Sequence, residues 1–116
     1  MLTPTAGTKI YLCTGSTDMR KGVSGLSILV QSRVIDQIST GALFVFRGKS
    51  GDKLKVLFWD GQGYCLYYKR FERGTFVWPK SVENTSLIIT SAQLSMLLEG
   101  IDWRAPRWTD PPEYTG

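Results

Sequence analysis

Residues 42–78 read ALFVFRGKSGDKLKVLFWDGQGYCLYYKRFERGTFVW, and the period of this stretch decides the fold. Apolar and aromatic residues run in blocks of four to eight, cut by clusters of glycine, aspartate and serine, which is the pattern of strands and tight turns. The blocks are residues 42–47, 53–59, 64–71 and 75–78, the last ended by Pro79. Between them lie GKSGD, a loop of hairpin length, DGQG, whose Asp-Gly pair suits a hairpin turn, and ERG. Three turns at this spacing predict an antiparallel meander. Within Lys53–Trp59 the side chains alternate. Leu54, Val56 and Phe58 form a core face, and Lys53, Lys55, Leu57 and Trp59 point the other way, so Lys53 and Lys55 are expected to be exposed.

Outward from the meander, KIYLC at residues 9–13 predicts a further strand, stopped by Gly15, and Ser16, Thr17 and Asp18 supply oxygens able to cap a helix. Residues 23–33 fit that helix, with Val23, Leu26, Leu29 and Val30 at i, i+3, i+6 and i+7. Residues 35–41 are a polar connection ending in glycine. SLIIT at residues 86–90 is a last short strand, after which Ser91 is the expected cap of a second helix. Leu94, Leu97, Leu98 and Ile101 stripe that helix and Gly100 is placed to end it. The expected fold class is α+β, an antiparallel meander sheet of five or six strands with two helices packed on one face. Residues 1–8 read as a flexible lead-in, 9–103 as a single domain and 104–116 as an irregular tail.

The chain has 116 residues, the length of one ordinary domain, with 42% hydrophobic and 21% charged residues. No apolar run approaches the ~20 residues of a membrane span, and no signal-like start is seen, so no membrane partner is expected. Histidine is absent, which excludes His-based triads, His general bases and His-ligated metals. Cys13 and Cys65 are too few for a zinc site and read as reduced core thiols. Asp18, Asp52, Asp60, Glu72, Glu99 and Asp102 fall at turns and element ends, without the converging pair that acid–base or two-metal catalysis requires. An enzyme is therefore not expected, nor a metal, a cofactor or a small-molecule substrate.

The net charge is +4. Between Arg47 and Lys80 eight Lys and Arg face three Asp and Glu, interleaved with eight aromatic residues. Cations with aromatics on a sheet are what nucleic acid requires: phosphate neutralisation and ring faces for stacking. Aromatics are also plain strand formers, and lysines keep an outer sheet face soluble. The candidates for nucleic-acid contact are Arg47, Lys53, Lys55, Trp59, Lys69, Arg70 and Arg73, together with Arg20 and Lys21. Those two lie in TDMRKG, residues 17–22, a link that could touch phosphate or could simply start a helix with Asp18 paired to Arg20 or Lys21. Its glycines do not match a Walker loop. A second set, Trp103, Arg104, Arg107 and Trp108, has the Trp/Arg character of protein-interface anchors, although Trp103 could equally fold back on the core.

Three separated blocks resemble a known family: TDMRKG at 17–22, LFVFRGKSGDKLKVLFWDGQGYCLYYKRFERGTFVWP at 43–79, and ITSAQLSMLLEGIDWRAP at 89–106. They are similar to the Orf2-like accessory proteins, also called TnpB, of IS66 insertion sequences. The match is carried by Asp18, Arg20, Lys21, Arg47, Trp59, Asp60, Arg70, Arg73, Trp78, Gly100 and Trp103. Ser91 stands where the family has proline. The chain is far too short for the RNA-guided nucleases that share the name TnpB. The resemblance implies a cytoplasmic bacterial mobile-element protein, encoded beside a separate transposase and acting without catalysis in transposition and DNA recombination. Its partners would be DNA, as element ends or single strands, and the transposase or the element's other accessory protein. Two roles are open: DNA binding through the basic-aromatic sheet face, or an adaptor docking the transposase through the C-terminal Trp/Arg segment.

Overall fold

The computed structural model describes residues 7–33, 41–79 and 86–104. Five strands and two helices follow in the order β1 (Ile10–Ser16), α1 (Val23–Arg33), β2 (Leu43–Arg47), β3 (Lys53–Trp59), β4 (Tyr64–Arg70), β5 (Ser86–Ile89) and α2 (Ser91–Glu99). One sheet holds all five strands in the order β4-β3-β2-β1-β5. The β2–β3–β4 hairpins have the expected antiparallel pairing, with Val45 opposite Val56 and Val56 opposite Tyr67. The sheet as a whole is mixed, which corrects the expected meander: β1 pairs with β2 in parallel and with β5 antiparallel. A connection of more than a dozen residues carrying a helix is what a parallel pair requires, and α1 provides it. Residues 75–78, expected as a strand, are irregular. Phe76 there donates its N–H to the Gly51 carbonyl and buries its ring.

The two helices lie on opposite faces, not on one. Leu26 and Val30 of α1 pack with Tyr11, Cys13, Phe44, Phe46 and Leu57. Leu94 and Leu97 of α2 pack with Ile10, Leu12, Val45, Leu54 and Val56. Strand alternation sends successive residues to opposite sides, so a strand whose residues are nearly all buried needs cover on both. The burial of Ile10, Tyr11, Leu12 and Cys13 in succession shows both covers in place. Phe76 and Trp103 complete the α2 side. Cys13 is buried and Cys65 half-buried, and no disulfide joins them.

Helix α1 starts at Val23, with the Gly22 carbonyl accepting from the Leu26 N–H, so the oxygens of residues 16–18 do not cap it. Helix α2 is capped by Thr90, one residue before the expected Ser91. The Thr90 hydroxyl accepts from the Gln93 N–H while the Gln93 side chain accepts from the Thr90 N–H, a reciprocal pair that satisfies the exposed first turn. Gly100 ends α2 at φ 78°, a conformation that suits glycine, and the Ile101 N–H reaches back to the Met96 carbonyl. Ile101 therefore lies beyond the helix and is exposed.

Candidate nucleic-acid interface

The topology collects four strand ends at one end of the sheet: the last residues of β1, β2 and β4 and the first of β3. Three connections project there, the 17–22 loop, the 48–52 turn and the segment from residue 71 to residue 78. The 48–52 turn, with the end of β2 before it, is tied to both of the others. The Thr17 N–H donates to the Arg47 carbonyl at 2.7 Å, and the Phe71 N–H to the Asp52 carbonyl at 2.9 Å. The Gly51 carbonyl accepts from both the Phe76 N–H and Trp78 Nε1. Gly48 lets the loop and the turn approach closely, since a Cβ there would lie 2.9 Å from Met19 Cγ. Between loop and turn is a cleft of about 370 Å³ whose polar lining includes Ser16, Thr17, Asp18, Lys49, Ser50 and Lys53.

This end gathers charge. Arg20, Lys21, Lys49, Arg70 and Arg73 are exposed and Lys53 is half-buried. Lys53 stands directly across from Arg70, on the α1 side of the sheet. Arg20 holds the Asp18 carboxylate through two side-chain nitrogens, and its own N–H donates to the same group. That arrangement draws the Asp18 carboxyl down to about 2 and leaves the guanidinium open to solvent. Ser50 donates to Asp52 and holds that carboxyl below its ordinary range. Arg70 lies 3.6 Å from Glu72, an exposed pair of little energetic weight.

Three of the expected cations serve the fold instead. Lys55 is buried at 9% exposure, which overturns the expectation that it faces solvent. Its Nζ donates to the Met19 carbonyl at 2.8 Å and the Lys21 carbonyl at 2.9 Å, and it lies 5.2 Å from the centre of the Tyr68 ring. The face of β3 that carries it is covered by the 17–22 loop, which period-two alternation alone does not report. Lys69 points to the α2 side and donates to the Leu98 carbonyl, satisfying an acceptor in the last turn of that helix. Arg47 lies on the same side with its guanidinium 5.9 Å from the Trp78 ring centre, and its Nε is buried without a partner.

The aromatic candidate Trp59 is half-buried and meets Tyr64 edge-on at 5.0 Å. It sits at the opposite end of β3 from Lys53, about 20 Å away at ~3.3 Å per residue. The ring that does accompany the cations is Tyr68, which is 50% exposed and stands across from Lys55. Sequence reasoning did not single it out; the signal was its place two residues before Arg70 on the same strand face. Lys49 belongs to the same basic stretch and was likewise passed over.

The C-terminal set divides. Trp103 is a core residue whose Nε1 donates to the Val77 carbonyl at 2.8 Å, so its indole is not an exposed anchor. Arg104 is exposed and pairs with Asp102, lowering that carboxyl's pKa. Arg107 and Trp108 lie outside the described residues. Asp60 accepts the N–H groups of Gln62 and Gly63 in the β3–β4 turn, a structural use. Among the described residues no three carboxylate or thiol groups come together as a metal site, and no helix is long and apolar enough to cross a membrane.

The model of the IS66 Orf2-like protein family matches residues 8–108. The chain belongs to this family. The IS66 Orf2-like proteins are accessory proteins of insertion sequences, so this one is tied to the transposition machinery. Relatives include the uncharacterized protein y4hO of Sinorhizobium fredii (strain NBRC 101917 / NGR234), 48% identical over 116 residues and the whole of both chains. The uncharacterized protein y4jC of the same strain is 37% identical over 103 residues, 89% of this chain and 87% of its own. No solved structure matches. The family match takes in the 17–22 loop, the 48–52 turn and β4, the elements that build the basic end.

Proposed function

We propose that this IS66 Orf2-like protein is a non-catalytic accessory factor of transposition that contacts DNA through the basic end of its sheet. The observation that carries the reading is that one end of the sheet holds Arg20, Lys21, Lys49 and Arg73 on its three connections and Lys53 and Arg70 on paired strand ends, with Lys49 and Lys53 lining a cleft. Phosphate contacts dominate nucleic-acid affinity and need cations held in fixed relative positions. Compared with the sequence-based set, Lys55, Lys69 and Arg47 act as supports, and Tyr68 takes the aromatic place expected of Trp59.

The test is fluorescence anisotropy on labelled oligonucleotides across salt. Each phosphate neutralised contributes about 0.7–0.9 to the slope of log affinity against log salt, so three or four contacts give roughly −2 to −4. Replacing Lys53 and Arg70 together by Ala flattens the slope by about 1.5, whereas Lys9→Ala, at the far end of the sheet, leaves it unchanged. Absence of binding at low salt defeats the reading.

A second reading, an adaptor docking the transposase or the element's other accessory protein, draws on a different observation. Leu87 and Ile88 of β5, at the edge of the sheet, are 42% and 66% exposed on opposite faces. Exposed apolar residues on an edge strand suit a protein partner. Such binding requires that partner and responds weakly to salt, which separates the two readings in the same assay.

A further inference from the structure

We propose that the ligand of the basic end is single-stranded DNA, with Tyr68 as the platform on which an unpaired base stacks. The proposal rests on the DNA-binding reading above and names its substrate.

Tyr68 is the large aromatic residue left most exposed among the described ones, at 50%. The Lys55 ammonium, held by two backbone carbonyls, lies over its ring at 5.2 Å from the centre, which leaves the opposite face for a base. The ring is thereby steadied on the sheet while much of its surface stays open, so little rotamer freedom remains to be lost on stacking. Register places the cations next to it. Arg70 is two residues along the same face, about 7 Å away, and Lys53 stands across from Arg70. Lys53 also lines the cleft, whose hydroxyls from Ser16 and Thr17 can donate to phosphate oxygens. A path thus runs from a stacking surface, past two cations, into a polar cleft of about 370 Å³.

That layout fits one backbone and not two. In a duplex the base faces are covered by their neighbours, and reaching them costs a few kcal/mol of unstacking. Reading a duplex through its major groove takes a helix or a two-stranded ribbon inserted into it. Here the cations sit on a sheet face beside a ring, the arrangement that single strands use.

The experiment measures anisotropy of a labelled 20-nucleotide oligothymidylate and of a 20-base-pair duplex, at low salt, on the full chain. The single strand is expected to bind more tightly. Tyr68→Leu weakens single-strand binding about 5- to 150-fold and leaves duplex binding and the salt slope unchanged, while Tyr68→Phe, which keeps the ring, stays within about twofold of the parent. Thermal unfolding of each variant verifies that it is folded. A Tyr68→Trp variant gives a second readout, in which the single strand quenches the new indole and the duplex does not. Equal or tighter duplex binding, or a folded Tyr68→Leu variant that binds the single strand like the parent, overturns the proposal while the wider reading survives through the Lys53 and Arg70 variants. Failure to bind either form removes both.

Discussion

Replacing Lys55 by Met separates what this lysine does for the fold from what a surface cation would do. Met retains most of the apolar stem and removes the donors. Two carbonyls, Met19 and Lys21, then lose their partner at partly buried positions. An unsatisfied buried acceptor costs about 1–3 kcal/mol. Lys21 is exposed, so water reclaims part of that loss and the net falls near 2–3 kcal/mol. One effect opposes this: removing a buried ammonium removes its desolvation cost, and replacing a complete buried ion pair by apolar groups is often neutral. That compensation requires both partners to go, and here the carbonyls remain. In a chain of 116 residues about 2–3 kcal/mol lowers Tm by roughly 8–15 °C. Thermal and urea unfolding measure it. A Tm within about 2 °C of the parent refutes the buried clamp and returns Lys55 to the surface.

Further consequences can be checked on the same protein. The Asp18 carboxyl, held at about 2 by Arg20, lies below its ordinary value, so its contribution to stability is fully present above about pH 4 and fades as pH falls toward 2. Carboxyl-carbon NMR should place its midpoint near 2, and Arg20→Gln should move that midpoint up; an unmoved midpoint contradicts the pairing. Trp103→Phe removes the hydrogen bond to the Val77 carbonyl and opens space on the α2 side, with an expected loss of about 2 kcal/mol in urea unfolding, whereas a surface anchor would cost almost nothing.

The parts of the fold set by local chemistry are the parts legible in the sequence. The bounds of β3 and α1 follow from turn glycines and from apolar spacing, and the end of α2 follows from Gly100 in a left-handed conformation. What escaped is non-local. Nothing in the β1 segment distinguishes a strand paired in parallel with β2 from one extending a meander, because that choice is made by α1 crossing the sheet. The same crossing covers a second face, so alternation on β3 separates two buried sides instead of a core and a surface. The candidate site shows the same division. Arg20, Lys21 and Arg73 lie on connections, and Lys53 and Arg70 on paired strand ends, at one end of the sheet. Lys55 and Lys69 were misjudged because lysine is ordinarily a solvated residue, and only the backbone carbonyls of Met19, Lys21 and Leu98 reveal their structural use. Trp59 and Lys53 share a face but stand a strand's length apart, a distance that a one-dimensional cluster conceals.

The central claim, that the basic end is the DNA-contacting surface, is tested most directly by amide hydrogen exchange with and without saturating oligonucleotide. The account predicts slowed exchange in the 17–22 loop, the 48–53 turn and β4 around Tyr68 and Arg70, with β5 unchanged. Protection confined to β5 and its exposed Leu87 and Ile88, or no change at the basic end while DNA is bound, would contradict it.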